Sequence, residues 1–153
     1  MKKYLSIGCG KLHEKSIEEV EWVNLDKSSN VNPDIVRDIT RGLPFNNEWF
    51  DHIKAYCCLG QIVDNDDFLF VMNEIWRVLK SGGNVFIYLP HKDREFCYLD
   101  PFNQRRTNEE HWLGFDETNR QWIDHGSYYG FKPWRNVEAK TNPQGFLEIW
   151  MTK

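Results

Sequence analysis

The sequence lacks any long apolar run, and no stretch approaches the roughly 20 residues that a membrane-spanning helix needs. Only a few apolar residues separate the opening Met1-Lys2-Lys3 from Lys11, too few for the core of a secretory signal. Lys and Arg never run longer than a pair, and the net charge is -4. Nucleic acid is therefore disfavoured as a partner, because phosphate binding needs a clustered basic face. We expect no membrane contact and a cytoplasmic location.

Cysteine is scarce as well, and its four positions form no disulfide framework. Cys57 and Cys58 are adjacent, while Cys9 stands between two glycines. The His and Cys residues follow no spacing typical of a metal site, so we expect no metal. This pattern is typical of a reduced intracellular protein.

Aromatic residues, in contrast, are abundant. Seven Trp, six Tyr and ten Phe make up 15% of the chain. Most must fill the core, but the total also allows a ring-lined pocket for a flat ligand. The same ring content, with no helix ahead of the first expected strand to cover a pocket, favours self-association into a homo-oligomer.

Short apolar runs that end in turn residues predict strands along the first part of the chain. The first run ends at Gly8-Cys9-Gly10, and the next two close on Asp26 and Asp38. Such residues mark the points where strands leave a sheet. The predicted strands cover residues 4–7, 22–26, 34–39, 52–57 and 85–89.

Helical periodicity is clearest over 66–80, where apolar residues recur at intervals of three and four. A glycine pair at 82–83 predicts its stop. Beyond Pro90 the pattern loosens, with one helix expected within 117–125 and a hairpin over 134–151. These elements predict an α/β fold: a Rossmann-like, mainly parallel sheet with an antiparallel C-terminal hairpin and helices on both faces, shortened at the N-terminus.

Four residues fall at the carboxyl ends of neighbouring strands, where open α/β sheets bind ligands: Gly8, Gly10, Asp26 and Asp38. Glycine lets a ligand approach the backbone, and an ionised aspartate accepts hydrogen bonds from a ribose diol or an exocyclic amine. A nucleoside fits this set, although each residue taken alone equally fits a turn or a cap. The dinucleotide fingerprint is only half met, because His13 stands at its third glycine. A NAD-dependent oxidoreductase is therefore the weaker alternative.

The order of motifs along the chain is more specific than any one of them. LSIGCG (5–10), VNLD (23–26), PDIVRDI (33–39), LPF (43–45) with FDHI (50–53), and EIWRVLKSGG (74–83) follow one another. This series resembles the class I S-adenosylmethionine-dependent methyltransferases, in particular the small type-11-like group, over residues 5–90. The resemblance implies S-adenosylmethionine as cofactor and methyl transfer as activity.

The resemblance also implies roles for particular residues. Gly8-Cys9-Gly10 matches the loop under the methionine part of the cofactor. Asp26 matches the carboxylate that holds both ribose hydroxyls, and Lys27 is its neighbour at the adenosine. Asp38 and Ile39 match the pair that contacts adenine.

In such enzymes the fourth strand ends beside the sulfonium and its methyl group, which implies this place for Tyr56 and Cys57. An aromatic face there would suit a cation. A buried strand end remains an equally simple interpretation of both residues.

The sequence departs from the family pattern at two places. The chain has little room for a helix after the glycine loop, so a short turn or a single helical turn is expected at 16–20. Gly60 and Gln61 stand where relatives commonly carry a Glu-His pair. A catalytically inactive binding or regulatory module is therefore a second alternative.

Acceptor-side candidates follow the fifth predicted strand. His91 is the candidate base, while Arg105 and Arg106 could anchor an acidic substrate. The segment DPFNQRRT (100–107) loosely resembles an Asp-Pro-x-His-x-Arg segment of relatives, and His111 is a further candidate for substrate contact.

These observations predict one domain over 1–153. Its cofactor-binding half covers 1–90, and the acceptor-side segment with the hairpin covers 91–153. The expected activity is methyl transfer from S-adenosylmethionine to a small molecule or to a sugar or glycan-type acceptor.

Overall fold

One seven-stranded sheet forms the centre of the computed structural model, which describes all residues 1–153. Neighbouring strands lie in the order β3-β2-β1-β4-β5-β7-β6. Pairings among the first five strands are parallel, and β7 is antiparallel to both β5 and β6. The predicted fold class is thereby confirmed. The strands are β1 (Lys2–Ile7), β2 (Val20–Asp26), β3 (Ile35–Val36), β4 (Phe50–Tyr56), β5 (Leu79–Pro90), β6 (Arg135–Thr141) and β7 (Phe146–Thr152).

Three α-helices accompany the sheet: α1 (Asn65–Val78), α2 (Phe96–Leu99) and α3 (Glu109–Leu113). A single π-helical turn covers Trp122–Gly126, so the helix expected within 117–125 is found only in part. None of these helices is both long and apolar enough to span a membrane.

The long helix α1 packs on one face of the sheet. Asp64 caps its start, because the carboxylate accepts hydrogen bonds from the backbone N–H groups of Asp66 and Asp67 at 2.8 and 3.0 Å. The helix predicted at 66–80 is thus confirmed apart from its ends. Its buried side chains are Phe68, Val71, Met72, Ile75 and Val78.

The predicted glycine stop after this helix is wrong. Leu79 is already extended and fully buried as the first residue of β5, where it pairs with Phe50. Gly82 and Gly83 lie inside β5 instead. The helix therefore ends before the two glycines, because the side chain of Leu79 is buried in the sheet.

The segment between β1 and β2 forms no helix, and of the two alternatives expected at 16–20 the short turn is confirmed: Glu18 and Glu19 form a turn closed by hydrogen bonds between Ile17 and Val20. Side chains hold this segment extended along β2. Glu14 exchanges two backbone hydrogen bonds with the side-chain amide of Asn24, and the Ser16 hydroxyl accepts one from the N–H of Trp22 at 2.9 Å. These tertiary contacts replace the hydrogen bonds that a helical turn would make.

β3 is shorter than the strand predicted at 34–39. The Asp34 carboxylate accepts a hydrogen bond from the N–H of Asn24 at 2.7 Å, and Asp38 caps a 3-10 turn. The hydrogen bonds of the Asp34 and Asp38 side chains therefore replace strand pairing at both ends of β3. Only Ile35–Val36 pairs with β2.

Aromatic rings cover much of the second face of the sheet. α3 packs beside α1 on the first face, where the ring centroids of Trp112 and Phe68 lie 6.0 Å apart. Only α2 meets the second face, through Phe96, whose ring centroid is 6.1 Å from that of Phe146. Rings in mutual contact thus take the place of helices there. They are Tyr4, Trp22, His52, Tyr56, Phe86, Tyr88, Phe146 and Trp150.

Two substitutions in α1 test its packing. Met72 is 0% exposed, so Met72→Ala should lower the free energy of unfolding by about 2–5 kcal/mol. Phe70 on the same helix is 43% exposed, and Phe70→Ala should cost less than about 1 kcal/mol. Urea unfolding followed by tryptophan fluorescence measures both. Equal losses would contradict the burial of this helix face.

Candidate functional site

A cavity of about 680 Å³ opens at the carboxyl ends of β1, β2 and β4. Its lining contains every residue that the sequence resemblance assigns to the cofactor, although these residues come from four separate segments of the chain. Parallel strands bring their carboxyl ends to one edge, which is why the segments meet. The nine residues are Gly8, Cys9, Gly10, Asp26, Lys27, Asp38, Ile39, Tyr56 and Cys57.

The two glycines of the first loop act differently. Gly8 has a φ of +67°, and an added Cβ would lie 2.5 Å from the Cβ of Cys58. Gly10 has a φ of +52°, but an added Cβ would meet nothing within 4 Å. Gly8 therefore allows β1 and β4 to converge, whereas Gly10 leaves open space beside the backbone where a ligand can fit.

Backbone N–H groups of this loop are already engaged. Those of Gly8 and Cys9 donate to the carbonyl oxygen of Leu25 at 2.8 and 3.2 Å. That of Gly10 donates to Asp26 Oδ2 at 2.9 Å. Because no helix follows the loop either, it offers no helix N-terminus to a pyrophosphate. The geometry thus disfavours the dinucleotide alternative.

Asp26 keeps acceptor capacity for a ligand. Its Oδ1 accepts from the N–H of Ser28 and its Oδ2 from the N–H of Gly10, both at 2.9 Å. Each carboxylate oxygen retains a further lone-pair direction, which suits the two hydroxyls of a ribose. Lys27 extends across the cavity and donates to Oε1 of Gln61 at 3.3 Å.

Asp38 and Ile39 supply one polar and one apolar surface. Asp38 Oδ1 accepts from the hydroxyl and the N–H of Thr40 at 2.8 and 3.0 Å. The hydroxyl hydrogen bond is the main reason that the pKa of Asp38 lies below its ordinary value. An ionised Asp38 beside the partly buried Ile39 can accept from an adenine amino group while the apolar side chain packs on the ring.

At the end of β4 the cavity holds thiols that stay protonated. Burial raises the pKa of Cys57 to about 11 and that of Cys58 to about 12. Cys57 has a φ of +53°, and its N–H donates to the carbonyl oxygen of Tyr88 at 2.7 Å. Neither thiol can act as a nucleophile near neutral pH, so they shape the cavity wall.

Sequence reasoning missed much of the wall opposite the glycine loop. This wall runs from the segment after β4 into the first turn of α1. Its position could have been predicted, because the residues that follow a parallel strand lie at the carboxyl edge of the sheet. Its cavity-lining residues are Gln61, Ile62, Val63, Asp64 and Asp67.

Arg105 holds this wall in place. Its guanidinium donates to the carbonyl oxygens of Ile62 and Val63 at 2.8 and 3.1 Å, and it lies 4.1 Å from the ring centroid of Phe68. Its backbone N–H donates to the carbonyl oxygen of Gly60 at 2.8 Å. The structure thus gives Arg105 an internal role that sequence reasoning missed, and its expected role as a substrate anchor stays a prediction.

His91, the candidate base, lies outside the cavity lining. Its Nδ1 accepts from the N–H of Asp93 at 3.1 Å, and its Nε2 lies 3.2 Å from Glu109 Oε2. This arrangement places the ring proton on Nε2. Both ring nitrogens of His91 therefore have partners within the protein.

His111 and Arg105 are brought together, because both line a different groove of about 1210 Å³, between the start of α1, α3 and the π-helical turn. None of the nine cofactor candidates borders that groove. Arg106 is exposed, and its guanidinium lies 4.2 Å from the ring centroid of Tyr98.

Comparison with known proteins identifies the class. A family model described as a methyltransferase domain matches residues 5–87. The chain therefore belongs to this methyltransferase family, and S-adenosylmethionine is its cofactor. A search of curated proteins finds no match.

Solved structures agree in fold. An S-adenosylmethionine-dependent methyltransferase from Archaeoglobus fulgidus superposes with a TM-score of 0.69 at 13% identity, covering 99% of this chain and 86% of that one. One from Aquifex aeolicus gives 0.66 at 15% identity, covering 99% and 81%. At such identities the likeness is one of fold alone.

Neighbouring arginines test the wall contacts. Arg105→Ala removes the donor to several carbonyl groups and should lower the free energy of unfolding by about 2 kcal/mol or more. It should also speed hydrogen exchange at residues 60–65. Arg106→Ala, the matched control, should change stability by less than about 0.5 kcal/mol. Similar values for both variants would contradict the internal role of Arg105.

Proposed function

We propose that the 680 Å³ cavity holds S-adenosylmethionine and that methyl transfer takes place at its Tyr56 and Cys57 end. One observation carries this proposal: all nine residues expected to contact the cofactor line that single cavity. S-adenosylmethionine supplies a methyl group on a sulfonium, which a nucleophile takes by in-line displacement.

Each of these residues then contacts a different part of the cofactor. Asp26 accepts hydrogen bonds from the ribose hydroxyls, and Asp38 accepts one from the adenine amino group while Ile39 packs on the ring. Gly10 leaves room for the methionine part. Held at these points, the cofactor keeps one orientation at the sheet edge, which is the main requirement for displacement.

Catalysis then rests on positioning and exclusion of water, because the nearby ionisable groups are unsuited to take a proton. The thiols of Cys57 and Cys58 stay protonated, since burial raises the pKa of both. His91 has both ring nitrogens engaged. Such a site favours an acceptor atom that is nucleophilic without help from a protein base.

The proposed acceptor is a small molecule or a sugar or glycan-type compound that presents an atom nucleophilic without deprotonation by the protein. Exposed rings around α2 support this, with Phe96 46%, Tyr98 57% and Phe102 68% exposed. Flat apolar faces of such compounds can stack on these rings. The exposed Arg106 beside Tyr98 can contact an acidic group on the same compound.

Cofactor binding is tested with S-adenosylhomocysteine and isothermal titration calorimetry. The wild type should bind, and Asp26→Ala should weaken binding about tenfold or more, because charge-assisted hydrogen bonds to the ribose are lost. Asp124→Ala on the exposed π-helical turn is the control and should leave affinity unchanged. Melting curves without ligand check that each variant is folded. Equal affinity of the wild type and Asp26→Ala for S-adenosylhomocysteine would contradict the proposed ribose contact.

Methyl transfer is tested separately by incubating the protein with methyl-labelled S-adenosylmethionine and cell extract. We expect label in a low-molecular-weight or glycan fraction with the wild type and less label with Asp26→Ala at the same cofactor concentration. A chain that binds S-adenosylhomocysteine but labels no fraction would be the inactive module that Gly60 and Gln61 suggest. Thermal protection by NAD and not by S-adenosylhomocysteine would instead indicate an oxidoreductase.

A further inference from the structure

Gly60 lies in a short 3-10 turn directly after β4, and it is buried. Its φ is outside the left-handed region, so the backbone conformation does not require glycine here. The space beside it does. A Cβ added to Gly60 would overlap Oδ1 of Asn103 and would lie 3.2 Å from the Cγ of that residue. A side chain from a later segment thus occupies the place of a side chain at position 60.

Helix α2 holds the Asn103 side chain in this place. Asn103 is 3% exposed, and its Nδ2 donates to Sγ of the fully buried Cys97 at 3.0 Å. The other amide atom, Oδ1, then faces the Cα of Gly60, where a weak Cα–H···O contact adds to the fit. Asn103 is therefore fixed between α2 on one side and the turn after β4 on the other.

Hydrogen bonds from Arg105 strengthen this contact between the two segments. Its backbone N–H donates to the carbonyl oxygen of Gly60 at 2.8 Å, and its guanidinium Nε donates to that of Ile62 at 2.8 Å. The opposite side of the segment after β4 borders the cofactor cavity, which Gln61 and Ile62 line. One short stretch of chain thus separates Asn103 from the cavity.

The same contacts set the position of the exposed rings of α2. Phe96 and Tyr98 are the rings of this helix to which the proposed function assigns the acceptor, and Cys97 lies between them. The hydrogen bond from Asn103 to Cys97 ties these rings to Asn103. The close fit of Asn103 against Gly60 then ties them to the wall of the cavity.

Gly60 and Asn103 are also positions at which the sequence departs from the pattern of the relatives that it resembles. The folded chain brings these two departures into contact. A longer side chain at position 60 and the present place of Asn103 exclude each other. The glycine at position 60 therefore has a packing reason of its own.

We propose that Gly60 and Asn103 are a matched pair of positioning residues that fixes α2 and its acceptor-binding rings against the wall of the cofactor cavity. The inference rests on the proposed function and adds to it the residues that set the acceptor relative to the cofactor. In-line displacement needs the acceptor atom at one distance and one angle from the methyl group. The pair therefore contributes to the rate of transfer through position, without touching either reactant.

Melting temperatures test the contact itself. Gly60→Ala should lower the melting temperature by about 2–12 °C, because an extra methyl group is forced into a filled space. In an Asn103→Ala background the same alanine should cause no further loss, since the overlapping atoms are gone. Gly114→Ala is the matched control, because its φ is ordinary and an added Cβ meets no atom closer than 3.4 Å.

Equal losses from alanine at position 60 in both backgrounds would contradict the contact. If Gly60→Ala alone does not fold, the double variant should recover the melting transition of Asn103→Ala. A double variant that also fails to fold, while Asn103→Ala folds, would overturn the matched fit.

Hydrogen exchange with and without S-adenosylhomocysteine tests the positioning role. In the wild type the ligand should slow exchange at residues 61–64 and also at 96–103. In Asn103→Ala it should slow exchange at 61–64 alone. With methyl-labelled S-adenosylmethionine and cell extract, this variant should transfer label about ten- to hundredfold more slowly, while its affinity for S-adenosylhomocysteine changes by less than about twofold.

The outcomes separate this inference from the proposed function. If the wild type does not bind S-adenosylhomocysteine, the cofactor site is wrong, whereas the melting temperatures still decide the contact. If the ligand binds but leaves exchange at 96–103 unchanged, or slows it equally in Asn103→Ala, the pair does not position α2. A merely structural role would lower affinity and transfer in proportion.

Discussion

The close approach of β1 and β4 at Gly8 is the constraint on which the rest of the site depends. An added Cβ at this position would lie 2.5 Å from that of Cys58, so the two strand ends can converge only on a glycine. One backbone position at the edge of the cavity thus decides how closely the two strand ends approach.

The convergence of the strand ends at this edge also decides which hydrogen-bonding groups of the cavity remain free for a ligand. The N–H groups of the first loop are used within the protein, by the Leu25 carbonyl and the Asp26 carboxylate, so the loop binds no phosphate. What remains for a ligand is carboxylate acceptors, open space at Gly10 and a neutral ring. Carboxylate acceptors at Asp26 and Asp38, with no free N–H group in the glycine loop, suit a nucleoside better than the pyrophosphate of a dinucleotide.

Short sequence patterns at the strand ends were enough to predict the sheet and nine of the residues that line the cavity. Gly8 and Asp26 end their strands, and that pattern can be seen in adjacent residues. The helical alternative at 16–20 is not formed because distant side chains hold the segment before the turn along β2. The internal contacts of Arg105 were missed for the same reason, since it donates to a carbonyl 43 positions away. His91 likewise finds Glu109 only in the folded chain. Such tertiary contacts leave no trace in sequence spacing.

The central claim is that the cofactor lies in the cavity at the carboxyl ends of β1, β2 and β4. A crystal structure of the protein with S-adenosylhomocysteine tests it most directly. The account predicts ribose hydroxyls on the Asp26 carboxylate, adenine between Asp38 and Ile39, and sulfur at the Tyr56 and Cys57 end of the cavity. Density for the ligand in the 1210 Å³ groove beside His111 instead would contradict it.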